Sequence, residues 1–426
     1  MPHSIPTSSP GGLHVAIIGT GITGINLALG LQARSISYTL YERHSSIREI
    51  GAGIGFSPNA ERAMSLLDET IRTTFKQAAN PNGEDYFQWV NGHNPSAELL
   101  YKLYVGKDGF QGGRRGDILE AWAKLVDERN IKYGKALEGV QETEDGVAMR
   151  FSDGSEEKAD VVVGCDGIWS RVRGFVDPAS GPGYTDKYCY RSLVKMEDAI
   201  KAVGEGRALT RFMYNGPNGH VITYPIGGNT LLNVLVVLSD DKPWPDGEKH
   251  TAPGSKKEVV EAFKGWNETV RSIVGLLPEE MDTWALFDMG DKPAGRYNNG
   301  RVAIAGDAAH ATGPHLGAGG GMGIEDALAL TVLFEAVGKK WEGQGAEERK
   351  QVVAKALQAY NDARYDRTQK IVQSTRAACA LFEWETPEVM DDGPKFAAAI
   401  KPIFHNVWDY DLDDMVQKAV EALESK

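Results

Sequence analysis

The sequence predicts an α/β fold: a parallel-sheet frame interrupted by an inserted antiparallel β-sheet and closed by C-terminal helices. Three observations predict it. The chain opens on a strand, a glycine turn, a helix and a second strand. Residues 184–285 are β-rich and broken by Gly, Asn and Pro turns. From Glu347 to about Leu381 no Gly or Pro interrupts a helical pattern.

Residues 13–18 (LHVAII) form an apolar run of the kind found in a strand buried on both faces. The turn Gly19–Gly24 follows, then a Leu- and Ala-rich helix from Ile25 to Arg34 and a strand over 37–42 ending in Glu42. That order makes a βαβ unit. Asp117 to Glu128 reads as a helix with Asp117 at its N-cap. Strand patterns recur at 159–163, before GCDG, and at 301–305, before Gly306-Asp307. Inside the insertion, 188–194, 208–214, 219–226 and 231–238 read as strands, followed by a charged helical segment over 256–275. The expected division is a frame in three parts (1–75, 105–183 and 286–345), a substrate domain from 76–104 and 184–285, and a helical region over 346–426. The first dozen residues are expected to fray.

Composition narrows the function. Lys and Arg total 46 against 59 Asp and Glu, a formal charge of −13, which repels phosphate backbones and anionic lipid. Neither nucleic acid nor membrane is therefore an expected partner. Cys165, Cys189 and Cys379 are too few and scattered for a disulfide framework or a metal cluster, and no metal is expected. The polar start MPHSIPTSSPGG reads as no signal peptide, so the expected compartment is the cytoplasm. Glycine is in excess: 49 residues, where average usage of about 7% would give roughly 30. Six of the eleven residues from Gly313 to Gly323 are glycine, the mark of backbone that must pass close to something.

Gly19-x-Gly21-x-x-Gly24, set between strand and helix with Glu42 ending the next strand, is a dinucleotide fingerprint. Its first glycine permits the tight turn, its second lets backbone approach a pyrophosphate, and its third lets helix and strand pack closely. Helix N–H groups face the phosphates, and Glu42 accepts from a ribose hydroxyl. Asp166, in GCDG, and Asp307, in GDAAHATGPHLGAGGGMGIEDA, each place an acid beyond a strand end. The two together favour FAD over NAD, because Asp307 suits the hydroxyls of a ribitol chain and the glycines behind it suit a flat ring. Glu325 and Asp326 are expected to begin the next helix, with its positive end toward that ring. The plainer alternative for Asp307 is a turn acid or helix cap. His310 and His315 read as packing or solvent-edge residues, with a ligand or base as the alternative.

Taken together, GTGITG, Glu42, Arg115, GCDG and GDAAHA…P…GAGGG…EDA resemble the class A flavoprotein aromatic monooxygenases, in particular their salicylate hydroxylase-like branch with its fungal phenol and polyketide hydroxylases. The likeness runs from residue 13 to about 415. It implies a Rossmann-like, GR2-type FAD-binding domain. Gly19, Gly21, Gly24 and Glu42 would hold the adenosine diphosphate part, and Arg115 (preferred to Arg114, being nearer the helix start) would reach the flavin side. Asp166 would serve both FAD and the nicotinamide cofactor, Asp307 the ribitol, and Pro314, Gly319 and Gly320 the isoalloxazine. Leu316 stands where Gln is common, and Met322-Gly323 replace a frequent Gln-Ala pair. Gly51 to Gly55 follow no good strand, so NAD(P)H is expected to dock transiently on the FAD domain rather than in a fold of its own.

The implied chemistry is carried by the cofactor: NAD(P)H reduces the flavin, O2 adds to form a C4a-hydroperoxyflavin, and its distal oxygen attacks an electron-rich arene. The substrate is then a phenol, best presented as phenolate, hydroxylated with or without decarboxylation or dearomatisation. Arg191 and Tyr224 match the places of the phenolate-binding pair in fungal dearomatising members. The plainer readings are a sheet-edge ion pair for Arg191 and a core position for Tyr224. Trp89, Phe212, Met213 and Trp284 are available to line the pocket. Two alternatives stay open: another flavoenzyme oxidation, such as indole epoxidation with spirocyclisation, and a non-catalytic FAD-fold binding protein, which an intact Asp307 and glycine loop oppose.

Overall fold

The computed structural model describes residues 12–47, 53–106, 109–245 and 249–425. Of the dozen N-terminal residues expected to fray, the first eleven lie outside these, as do Gly51 and Ala52. Five strands pair in parallel in the order Val302–Ile304, Val161–Gly164, His14–Ile18, Ser37–Glu42 and Ile131–Tyr133, with Asn298–Asn299 added antiparallel at one edge. The helix Ile22–Ala33 packs on this sheet beside Gly319–Gly338, and the two are buried along most of their length. Their near-continuous apolar sequence is what burial on more than one side requires.

The inserted sheet has eight strands: Thr251–Ser255, Glu280–Asp288, Gly183–Lys195, Leu231–Ser239, Gly219–Ile226, Phe212–Gly216, Tyr86–Asn91 and Leu99–Tyr104. All neighbours are antiparallel except Phe212–Gly216 with Tyr86–Asn91. Period-two alternation gives it two buried faces. Tyr190, Tyr214, Val221, Val234 and Val236 pack under helices Met196–Val203 and Glu268–Gly275. On the other face, Arg191, Leu235, Ile222, Met213 and Trp89 form one row across five strands, and Asn233 and Tyr224 pair in the next. The end of this second face formed by Tyr86–Asn91, Leu99–Tyr104 and Phe212–Gly216 is covered by Gly393–Trp408 and by the long helix Ala346–Phe382.

Several expectations are corrected. The helix expected at Asp117–Glu128 is Arg115–Ala123, because the strand Gln111–Arg114 runs directly into it and extended Arg114 occupies the cap. Asp117 sits instead in the first turn. The segment 256–275 is two helices, each with its own cap: Ser255 with Glu258 for Lys256–Ala262, and Asn267 for Glu268–Gly275. Residues Glu205–Ala208 are helical, and the strand begins only at Phe212, where pairing on both sides starts. Glu325 and Asp326 do not begin a helix; the glycine run does, from Gly319. A three-stranded sheet over Leu137–Thr143, Gly146–Phe151 and Glu156–Ala159 was not expected.

Candidate active site

Between the parallel frame and the second face of the inserted sheet lies a cavity of about 470 Å³. The first wall is the glycine turn. Gly19 has a φ of +101°, and a Cβ there would fall 2.5 Å from the carbonyl oxygen of Cys165. A Cβ on Gly24 would fall 2.0 Å from the carbonyl oxygen of Gly19. Gly21, by contrast, lines the cavity and would meet nothing within 4 Å. It is also the cap of helix Ile22–Ala33, and among the described residues no side chain caps that helix end. Glu42, buried behind the turn, accepts from the Thr20 hydroxyl and from the backbone N–H of Thr20 (3.3 Å) and His44 (2.9 Å).

This contrast yields a test. Gly24→Ala forces a backbone clash, costing at least about 1–3 kcal/mol, and is expected to yield protein of lowered Tm. Gly21→Ala is expected to leave the Tm of the FAD-free protein unchanged and still abolish yellow colour after incubation with FAD.

The second wall is the loop and helix start around Gly306–Gly321. Asp307, Gly313, Pro314, His315, Gly317, Gly319 and Gly320 all line the cavity, and Asp307 is exposed to it. Two acids further along hold this wall in place. Asp326 accepts from the backbone N–H of Gly306 at 2.9 Å, from His310 Nε2 at 2.5 Å and from Arg364 Nε at 2.8 Å. Glu325 meets Arg364 at 2.7 Å, Arg367 at 2.7 Å and Asn59 at 2.6 Å. Burial pushes both carboxyls up, but His310 and Arg364 hold Asp326, and Arg364 and Arg367 hold Glu325, below the usual carboxylate range. These acids thus position the Gly306–Asp307 turn.

Arg115 lines the cavity, whereas Arg114 lies half exposed, 3.8 Å from Asp117. Asp166 is not among the lining residues, although Cys165 and Gly167 on either side of it are. Its carboxylate accepts from Ser170 Oγ (2.6 Å) and from the N–H groups of Arg171 (2.7 Å) and Val172 (3.3 Å), at the start of the helix Arg171–Val176.

The inserted sheet supplies the third wall. Arg191 and Tyr224 both line it, on one face of the sheet. The Arg191 guanidinium lies 5.2 Å from the Trp284 ring centre. Burial raises the Tyr224 phenol, opposed by Arg211 and Arg191. Arg211 escaped the reading of the sequence. It is buried, stacks 4.1 Å over Phe110 and 4.8 Å over Tyr224, and donates to the Phe110 carbonyl at 3.1 Å. Burial pulls it down to about 10, so it stays cationic at neutral pH. A lone Arg in ALTRFMY, an otherwise largely apolar stretch, is the signal that could have found it. Of the four available aromatic and apolar side chains, Trp284 reaches the cavity; Trp89 and Met213 pack under the C-terminal helices and Phe212 on the opposite face. Phe87, Phe110, Ile222, Leu235 and Phe287 stand there instead. The fold also gathers His220, His315 and Cys379, with ligand-type atoms within 4.8 Å of one another, despite the scatter of cysteines along the chain.

A glycine turn with an uncapped helix end, a carboxylate across from it and a glycine-rich helix start define a flavin-dinucleotide protein of the α/β class, and these residues fit FAD. The comparisons agree. A family model described as FAD binding domain matches residues 12–375. The FAD-dependent monooxygenase pigN of Monascus ruber is 44% identical over 420 residues, covering 96% of each chain. The FAD-dependent monooxygenase orf3 of Aspergillus niger is 42% identical over 431 residues, covering 97% of each. Among solved structures, a salicylate hydroxylase–substrate complex superposes with a TM-score of 0.85 at 30% identity, over 96% of this chain and 98% of that one. The chain belongs to the FAD-binding-domain family of FAD-dependent monooxygenases, and its cofactor is FAD. Among the described residues no helix is long and apolar enough to cross a membrane.

Proposed function

We propose that this enzyme uses NAD(P)H and O2 to hydroxylate a phenolic substrate bound as its phenolate, with decarboxylation or dearomatisation as possible outcomes of the same oxygen insertion. One observation carries the reading: two guanidinium groups, Arg191 and Arg211, share the cavity wall with apolar and aromatic side chains, and among the described residues neither is paired with a carboxylate. Cations set among aromatic rings suit a flat anion. A neutral indole would give them no counter-charge, which favours the phenol over the epoxidation alternative.

FAD, once bound, supplies the electron path from NAD(P)H to O2. The chain's part is to hold the ring against backbone at Gly319 and Gly320, to fix its sugar-alcohol tail at Asp307, and to present the arene on the opposite wall. Arg191, Arg211 and the Tyr224 hydroxyl favour the ionised phenol, which raises the electron density of the arene. Enclosure by Phe87, Phe110 and Trp284 limits water. The three cysteines are buried and unpaired, which supports a reducing compartment such as the cytoplasm.

The test is a screen of NADH and NADPH oxidation, with product mass, over salicylates, resorcinols and indoles. The reading expects stimulation by a phenol and a product one oxygen atom heavier or, with decarboxylation, a lighter product that has gained one oxygen atom and lost CO2. Stimulation by indoles alone contradicts it.

A further inference from the structure

A line of buried polar groups leads out of the cavity through the inserted sheet. It begins at His315, 8% exposed on the cavity wall, whose Nδ1 lies 3.4 Å from His220 Nε2. His220 Nδ1 lies 2.9 Å from Glu383 Oε1, and both residues are buried. Glu383, at the end of the long helix, meets Lys187 Nζ at 2.8 Å and accepts from Ser239 Oγ at 2.7 Å. Ser239 Oγ is also 3.3 Å from Glu385, whose side chain is 41% exposed and which pairs with Lys187 as well. Four separate elements thus place their polar side chains in single file from cavity to solvent.

The carboxylate sets the proton positions along the file. Burial pushes the Glu383 carboxyl up, but His220 and Lys187 hold it well below the usual range, so it is anionic and accepts the His220 Nδ1–H. His220 Nε2 is then an acceptor and takes the Nδ1–H of His315, which leaves His315 Nε2 with a free lone pair. Burial pulls His315 down to about 3, so it rests neutral. Cys379 stands beside the histidines, but burial and Glu383 raise its thiol and keep it protonated, outside the file.

Resting on the phenol reading above, we infer that His315, His220 and Glu383 form a proton relay that carries the substrate's phenolic proton from the cavity to solvent. The substrate O–H bond breaks as an N–H bond forms at His315 Nε2. The Nδ1–H of His315 passes to His220 Nε2, and the Nδ1–H of His220 passes to Glu383 Oε1. No electrons change hands; Ser239 Oγ takes the proton from the Glu383 carboxyl as its own O–H proton passes to Glu385, 3.3 Å away, which releases it to solvent. Reprotonation of the product oxygen runs the file backwards and restores the starting tautomers. The 3.4 Å separation of the two histidines is long for a hydrogen bond, as expected of a relay before substrate tightens it.

His220 and Glu383 act through His315, so the test reads proton movement rather than activity alone. FAD-loaded enzyme is mixed rapidly with 2,4-dihydroxybenzaldehyde, following phenolate absorbance and, with an indicator dye, proton release. His220→Gln and Glu383→Gln are expected to bind FAD and slow both signals about 10²-fold at a pH well below the pKa of the free phenol. The defect is expected to vanish above the pKa of the free phenol, where no proton needs to leave. Wild-type rates in both folded variants overturn the relay. No phenolate in the wild-type enzyme overturns the phenol reading itself. If either variant loses FAD, Ser239→Ala interrupts the outer step and carries the same expectation.

Discussion

Replacing Arg191 with Ala is expected to lower kcat/KM for a phenolic substrate by about 10²–10³-fold while FAD stays bound. The estimate is that for removing one charged donor from a water-poor site, about 3–4 kcal/mol. Arg191 lies in a strand of the inserted sheet, away from the glycine turn and from Asp307, so flavin absorbance of the purified variant is expected to match the wild type. The loss should be incomplete, because Arg211 shares the wall. Arg211→Met, which removes the second cation but keeps its length, is expected to compound the loss in the double variant. Equal turnover by Arg191→Ala and wild type, measured with the substrate found in the screen, would remove the residue from the site.

The largest effect on stability is expected from Arg364→Leu. Its guanidinium is fully buried and meets both Glu325 and Asp326, at 2.7 and 2.8 Å. Removing it leaves two buried carboxylates short of a cation, Glu325 with Arg367 and Asp326 with His310 alone, at a cost of about 3–5 kcal/mol. Asp326 also holds Gly306 and His310, so the damage extends to the Asp307 turn. The variant is expected to melt earlier and to retain less FAD. The same pairs predict acid sensitivity. Both carboxyls titrate lower folded than unfolded, so their stabilisation is complete above the unfolded range near 4 and is lost as pH falls below it. Arg364→Leu should flatten that acid limb of a Tm–pH curve, and an unchanged limb would show that other groups set it.

Much of the frame was legible because its signals are local. The fingerprint Gly19–Gly24 with Glu42 spans a single βαβ unit, and the absence of Gly and Pro marked one long helix or two joined ones, of which the structure has one, Ala346–Phe382. The inserted strands showed in alternation, which also put Arg191 and Tyr224 on a sheet face. What was not legible depends on contacts between distant segments. Glu325 and Asp326 read as helix starters because acids favour first turns, but their partners lie on another helix and decided otherwise. The glycine run read as loop, since glycine disfavours helices; close packing against Thr23, Phe56 and Ala60 leaves no room for larger residues there. Arg211 belongs to the same class, since nothing near it in sequence reveals that Phe110 will lie beneath it. His220 and Glu383 are 163 residues apart, and no motif links them.

The central claim is that oxygen from O2 is delivered to an arene held on the arginine-bearing wall. Turnover of the FAD-loaded enzyme under heavy-isotope dioxygen, with NADH or NADPH and the stimulating phenol, tests it most directly. One labelled oxygen atom in each product molecule, formed in step with the reductant consumed, is the predicted result. Hydrogen peroxide matching the reductant consumed, with the phenol recovered unlabelled, would contradict it.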